Sequence, residues 1–122
     1  MKLDILAIGA HPDDVELGCG GTLAKEIKNG KTVGILDLTK GELGTRGTDE
    51  TRRVEANDAK NILGVAVREN LGIPDGFFLN DKENQLKIVE IIRKYQPDII
   101  LSNAPHDRHP DHGKGSDLVN TA

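Results

Sequence analysis

Short apolar runs alternate with amphipathic stretches along the whole chain. The runs predict four strands, over residues 3–8, 32–38, 65–71 and 98–102. Apolar residues at helical spacing predict helices over residues 17–29, over 50–63, between Asp81 and Pro97, and from about His112 onward. This order, βαβαβαβα, indicates an α/β fold in which helices cover both faces of a parallel sheet.

The first three predicted helices each carry an apolar stripe that we expect to pack on the sheet. The stripe residues are Leu17, Leu23, Ala24 and Ile27 in the first helix, Val54, Ala59, Ile62 and Leu63 in the second, and Leu86, Val89, Ile92 and Tyr95 in the third. Gly30 and Gly64 stand where a left-handed residue ends a helix, and Asp81 can cap the third helix. Residues 39–47 are polar and rich in glycine, which predicts a loop.

Right-handed crossovers restrict how such a chain can be wound. A doubly wound chain adds its second and third strands on one side of the first strand and places the fourth strand on the other side, which gives the order 3-2-1-4. The first and fourth strands are then neighbours at the switch point, where ligands bind beyond the carboxyl ends of the strands. We therefore expect any chemistry to come from the loops after Ile8 and Ser102.

The composition is that of an ordinary globular domain. The 122 residues fit a single domain, 1–122, and 20 acidic against 16 basic residues give a net charge of −4. This acidity argues against a nucleic-acid or membrane-surface partner, because those partners select basic patches. The lone cysteine, Cys19, suits a reducing compartment, so we expect the cytoplasm. No apolar stretch has the length of a signal-peptide core or a membrane span.

Residues that can carry chemistry concentrate in the two loops at the switch point. The first loop contains His-Pro-Asp-Asp at 11–14, the second contains His-Asp-Arg-His-Pro-Asp-His at 106–112, and together they hold all four histidines. Catalytic zinc sites combine three histidine or carboxylate ligands with one open position. His11 and Asp14 can point the same way at the start of a helix, and His112 can supply the third ligand. The alternatives are a capping or core role for His11 and a helix N-cap role for Asp13.

The glycines at 18, 20 and 21 do not form a phosphate loop, because neither G-x-G-x-x-G directly after the first strand nor G-x-x-x-x-G-K occurs. We expect them to let the start of the helix pack closely against the sheet. Cys19 has no second cysteine with which to share a metal, so we expect it to be a small packed residue rather than a ligand.

The two histidine motifs resemble those of the PIG-L (LmbE-like) superfamily of zinc-dependent N-deacetylases. Residues 9–22, 40–48 and 107–112, together with Arg52-x-x-Glu55, resemble its bacillithiol-biosynthesis branch, which deacetylates N-acetylglucosaminyl malate. The resemblance implies a Rossmann-like three-layer α/β/α sandwich with a mainly parallel sheet. Family members are longer, so we expect the chain to be the N-terminal portion of the domain, with the C-terminal part of the usual fold missing.

The resemblance also implies roles for residues of this chain. One zinc ion per chain would bind His11, Asp14 and His112, in agreement with the ligand set drawn from the loops. Asp13 would be the general base, His109 the charged histidine at the oxyanion, and Asp111 the residue that orients His109. Arg52, Asp75 and Arg108 match positions that contact the sugar or its aglycone.

The substrate implied is a small-molecule N-acetylglucosamine conjugate, most specifically N-acetylglucosaminyl malate. Arg52 and Arg108 suit a carboxylate such as malate, because a guanidinium binds it through two hydrogen bonds. Either arginine could instead be a solvated surface residue, as we expect for Arg46 and Arg53, and Asp75 could serve only its turn.

Two alternatives for the function stay open. The substrate could be another N-acetylglucosamine conjugate, such as an inositol glycoside or a chitooligosaccharide. The chain could also be a truncated, inactive module that binds metal or sugar. A sheet edge left unpaired by a missing half would favour homo-oligomers.

Overall fold

The computed structural model describes residues 1–44 and 48–122, and these form four strands and four helices in strict alternation. The elements are β1 (Ile5–Gly9), α1 (Asp14–Lys28), β2 (Val33–Asp37), α2 (Asp49–Leu63), β3 (Val67–Asn70), α3 (Lys82–Tyr95), β4 (Ile99–Leu101) and α4 (Pro110–Thr121). Arg46 and the end of the predicted loop over 39–47 lie outside the described residues. Within the described part of the chain, no helix combines the length and the apolar character needed to cross a membrane.

The four strands form one parallel sheet in the order β3-β2-β1-β4, which confirms the predicted topology. The β1 strand is central, with Ile5 opposite Val33 of β2 on one side and Ile99 of β4 on the other. The loops that follow β1 and β4 therefore leave the same edge of the sheet side by side.

Alternate residues of β1 enter two separate cores, because successive side chains of a strand point to opposite faces. Leu6 and Ile8 belong to the core beneath α3 and α4. Ile5 and Ala7 belong to the core beneath α1 and α2. The molecule is accordingly a three-layer α/β/α sandwich, as expected. The β4 strand is less well covered, with Ile99 and Ile100 exposed.

The predicted apolar stripes of the helices were wrong in part. Leu17 is 83 % exposed and Ile62 84 % exposed, and Val54 and Leu86 are exposed as well. In α1 the cause is a kink at Cys19, whose non-helical φ of −145° breaks the spacing on which the stripe depends.

The buried face of α3 is also shifted from the prediction. Its buried residues are Asn84, Ile88, Ile91 and Tyr95, rather than a stripe that begins at Leu86. Asp81 does cap this helix, because its side chain accepts a hydrogen bond from the Asn84 N–H at 2.9 Å. The helix start was therefore readable from the sequence, whereas its rotation about the helix axis was not.

The prediction of close packing at glycines 18, 20 and 21 was also wrong, since a Cβ added at any of them would meet no atom within 4 Å. The close approach lies at Gly9, where a Cβ would come within 3.0 Å of the Asp14 Cβ and 3.2 Å of the Val15 Cγ2. Gly30 and Gly64 have φ values of +90° and +79°, which confirms their left-handed positions at the helix ends.

Arg68 joins four elements around the base of the β1–α1 loop. Its guanidinium donates to Asp37 of β2 at 2.8 and 2.9 Å, to Glu16 of α1 at 3.1 Å and to the Ala56 carbonyl of α2. Burial raises the pKa of Asp37 to about 6 even though Arg68 lowers it. The side chains of Arg68 and Asp37 are both buried, so each charge is stabilised by its partner rather than by water.

We predict that Arg68→Met lowers the free energy of unfolding by about 3–5 kcal/mol, because it leaves the Asp37 carboxylate buried without its partner. Arg53→Met is the matched control. Arg53 pairs with Glu50 on the exposed surface, where water screens the ion pair, so its loss should leave the free energy of unfolding nearly unchanged. Urea unfolding of both variants measures the difference, and equal losses would contradict the structural role given to Arg68.

Candidate metal centre

Four loops converge beyond the carboxyl ends of the strands. Backbone hydrogen bonds fix the β1–α1 loop to its neighbours: the Ala10 N–H donates to the Asn103 side chain at 2.9 Å, and the Ala10 carbonyl accepts from the Thr39 N–H at 3.0 Å. The fourth loop is the turn after β3, where the Gly76 N–H donates to the Asp111 carboxylate at 3.0 Å. The site is thus built from chain segments distant in sequence.

His11 lies buried at the centre of these loops and uses both ring nitrogens. Its Nε2 lies 2.7 Å from Oδ2 of Asp111 and 3.0 Å from Oδ1 of Asp75. Its Nδ1 faces Oδ2 of Asp14 at 3.5 Å, and that same oxygen accepts the His11 N–H at 2.9 Å. Nε2 of His11 therefore contacts two carboxylates, and Nδ1 points to Asp14.

His112 also has one ring nitrogen near Asp14 and the other near a second carboxylate, but with the roles of Nδ1 and Nε2 exchanged. Its Nδ1 lies 2.8 Å from Oδ2 of Asp107, and its Nε2 lies 3.2 Å from Oδ2 of Asp14. A single oxygen of Asp14 is therefore flanked by one nitrogen of His11 and one of His112. The structure brings together all three residues predicted as ligands.

Two of the three donor pairs have the spacing that a zinc ion needs. Tetrahedral zinc with ordinary bond lengths places its ligand atoms about 3.3–3.5 Å apart, close to the two distances at Asp14. Each histidine also has its other ring nitrogen against a carboxylate, as ligating histidines usually do. In the described part of the chain, two groups place one ligand atom from each residue within 4.8 Å of one another: His11 with His109 and His112, and His11 with Asp75 and Asp111. Asp14 is in neither group, although it contacts His11 and His112 one at a time.

His109 caps α4 and lies against both other rings. Its Nδ1 accepts the Asp111 N–H at 3.1 Å, and its ring stacks on His112 with centroids 5.0 Å apart. Because Nδ1 accepts in this contact, Nε2 is the ring nitrogen left to act as a donor. The carboxylate of Asp111 contacts His11 and Gly76. Asp111 therefore contacts His109 through its own backbone N–H and not through its side chain.

Asp13 has a left-handed backbone with φ of +95°, which is uncommon for a residue other than glycine. It stands at the N-cap position of α1, but its side chain makes no capping hydrogen bond within the described structure. Desolvation and the neighbouring Asp14 raise the pKa of its carboxyl, against the opposing charge of Arg52. A raised pKa suits a carboxylate that accepts a proton.

A cavity of about 380 Å³ opens beside the three histidines, with Asp13, Arg52 and Asp75 in its lining. The Arg52 guanidinium lies against Gly41 and Gly44, where an added Cβ would come within 2.5 Å of it. Arg108 is exposed and does not belong to the described lining of this cavity. The structure therefore brings Arg52 and Asp75 to the site and leaves Arg108 outside the cavity.

Sequence reasoning missed Asp107, which holds His112, and Asn103, which fixes Ala10. Both lie in the polar stretch after β4, so their position was the available signal. A carboxylate five residues before a candidate ligand on the same loop is a reasonable partner for its second nitrogen.

Burial and hydrogen bonding act on the titration of His11 in opposite directions. Burial lowers the pKa of the imidazole, but hydrogen bonds with Asp14 and Asp111 raise it, to about 9 overall. The same contacts lower the pKa of Asp14 despite its own burial. The carboxylates around His11 therefore favour a positive charge at this ring.

A comparison with protein families matches residues 6–122 to PIG-L, described as GlcNAc-PI de-N-acetylase. The chain belongs to this family. Diacetylchitobiose deacetylase of Thermococcus kodakarensis is 36 % identical over 118 residues, which cover 88 % of this chain and 44 % of that protein. The chain spans about half the length of the curated relatives it matches.

Two solved structures share the fold closely. The conserved protein TT1542 from Thermus thermophilus is 47 % identical with a TM-score of 0.92, over 97 % of this chain and 54 % of that chain. The 4-carboxy-2-hydroxymuconate hydratase GalB from Pseudomonas putida is 28 % identical with a TM-score of 0.86, over 99 % and 55 %. Solved structures with this fold include a hydratase as well as a diacetylchitobiose deacetylase, so the reaction has to be argued from the site.

Proposed function

We propose that the protein is a zinc-dependent N-deacetylase that releases acetate from an N-acetylglucosamine conjugate. The observation that carries the proposal is the Asp14 oxygen flanked by Nδ1 of His11 and Nε2 of His112, beside a cavity that Asp13 lines. Two nitrogens and one oxygen with carboxylate-held imidazoles form a donor set that suits zinc. Membership of the PIG-L family supports the same reaction.

The ion would be held by His11, Asp14 and His112. A bound zinc ion polarises a carbonyl as a Lewis acid and lowers the pKa of water towards ~7. The remaining steps belong to side chains of the chain itself, and we assign the proton transfers to Asp13.

Hydrolysis of the acetamide needs a base, an oxyanion donor and an acid. Asp13 takes a proton from the water that attacks the acetyl carbon, and the carbonyl oxygen becomes an oxyanion. The Nε2–H of His109 is the donor that we assign to that oxyanion. The resemblance implies a charged His109, and a charged ring carries a proton on Nδ1 as well. To become charged, His109 would therefore have to give up the hydrogen bond that its Nδ1 accepts from the Asp111 N–H. Asp13 then gives its proton to the leaving nitrogen as the C–N bond breaks, which yields acetate and a free amine.

For the substrate we propose N-acetylglucosaminyl malate of bacillithiol biosynthesis, processed in the cytoplasm. The cavity position of Arg52 supports a carboxylate on the aglycone, because a guanidinium can bind it with two hydrogen bonds. Arg108 on the exposed loop is a second candidate, and Asp75 remains the proposed contact of a sugar hydroxyl. A chitooligosaccharide is the alternative, supported by the diacetylchitobiose deacetylase relative.

We predict that the purified protein binds about one zinc ion per chain and that His11→Ala or His112→Ala abolishes this binding, because each removes one of three ligands. His106→Ala is the matched control, since this fourth histidine is exposed on the same loop. Elemental analysis after dialysis measures the metal. Zinc retained in both ligand variants would contradict the ligand set.

Asp13→Asn should keep zinc but lower the rate of acetate release by about 10²–10⁴-fold, because the amide cannot accept the proton. Asparagine tolerates the left-handed backbone of this position, so the fold should be preserved. An acetate assay beside a zinc determination separates the two effects. Turnover at the wild-type rate would remove Asp13 from its proposed role.

Arg52→Gln should reduce kcat/KM by about 10–100-fold on N-acetylglucosaminyl malate and have little effect on a conjugate with a neutral aglycone. The selective loss is expected because only the malate offers carboxylates to the guanidinium. Arg53→Gln, next in sequence and paired with Glu50 on the surface, is the control. Equal losses on both substrates would favour a neutral aglycone or a sugar contact.

The hydratase relative supplies a second candidate reaction. Hydration of an unsaturated acid forms a C–O bond and releases nothing, whereas deacetylation releases acetate. Assays of this 122-residue chain for both products therefore decide between the reactions. Zinc binding with neither product would instead indicate a module that binds metal or sugar without catalysis.

A further inference from the structure

Asp75 is buried beneath His11, although the Gly-Ile-Pro-Asp-Gly segment around it is typical of an exposed turn. Its Oδ1 lies 3.0 Å from Nε2 of His11, and its Oδ2 accepts the Leu43 N–H at 2.8 Å. The Asp75 N–H donates to the Glu42 carboxylate at 2.9 Å. Both oxygens of Asp75 are therefore engaged, one by His11 and the other by the loop after β2.

We infer that Asp75 is a positioning residue that acts with Asp111 to determine which nitrogen of His11 binds the metal. The inference rests on the proposed function only in that His11 is taken as a metal ligand. An imidazole whose Nε2–H donates to carboxylates keeps its lone pair on Nδ1. In this structure Nδ1 is the nitrogen that faces Asp14.

The same contacts connect two parts of the site. The Leu43 N–H binds Asp75, and Leu43 also lines the cavity beside His11. Displacement of this loop would move the carboxylate that holds His11. Asp75 thereby couples the wall of the substrate cavity to the orientation of a metal ligand.

An asparagine could keep the hydrogen bonds of Asp111 but not those of Asp75. Oδ2 of Asp111 serves both Nε2 of His11 and the Gly76 N–H, so the carbonyl of an asparagine could take over both contacts. Asp75 uses a different oxygen for each partner. An asparagine at position 75 that accepts the Leu43 N–H would turn its NH₂ group towards Nε2–H of His11, donor against donor.

The test uses protein labelled with ¹⁵N-histidine and loaded with ¹¹³Cd²⁺, in which the coupling between metal and nitrogen identifies each ligating ring atom. Zinc affinity is measured in parallel by competition with a chromophoric chelator. We expect coupling to Nδ1 of His11 and Nε2 of His112. Asp75→Asn should lower metal affinity by about 10–100-fold and weaken the Nδ1 coupling or move it to Nε2, whereas Asp111→Asn should have a smaller effect.

Asp98→Asn is the matched control, because Asp98 pairs with Lys2 in an exposed contact at the opposite end of the sheet, and it should leave affinity and coupling unchanged. The inference is overturned if wild-type His11 couples through Nε2, or if Asp75→Asn keeps both the affinity and the coupling of wild type. The wild-type spectrum decides the first point even where the variant does not fold. Cadmium bound through Nδ1 by a protein that releases no acetate would support this inference and contradict the proposed function.

Discussion

The parallel pairing of β1 with β4 is the constraint on which the candidate site depends. It places the loop of His11 and the loop of His112 side by side at the carboxyl ends of the strands, although the two loops lie near opposite ends of the sequence. The hydrogen bond from the Ala10 N–H to Asn103 then fixes one loop against the other. Without this pairing the Asp14 oxygen would have only one histidine beside it.

Negative charge is concentrated around the two histidines. Asp75 and Asp111 hold one ring, Asp107 holds the other, and Asp14 lies between them. Buried like charges are costly unless a cation compensates them, and the raised pKa of His11 reflects this environment in the protein alone. The same charge favours a divalent metal at the position that both rings face.

Sequence reasoning was accurate for strand order and helix caps and inaccurate for helix faces. Caps depend on a few adjacent residues, such as Asp81 at the start of α3 and Gly64 at the end of α2. The face that a helix buries depends on packing and on local irregularities, and the kink at Cys19 is invisible to a periodicity count. Leu17 was placed on the wrong face of α1 for that reason.

By itself, the sequence determined the α/β alternation, the 3-2-1-4 sheet and the three residues that meet at the switch point, because these follow from hydrophobic pattern, crossover handedness and motif position. Only the tertiary structure decided which nitrogen of each histidine faces Asp14 and which carboxylates hold the others. Those contacts join Asp75 to His11 across separate loops. Side-chain partners of this kind depend on distances between loops, which local sequence patterns do not encode.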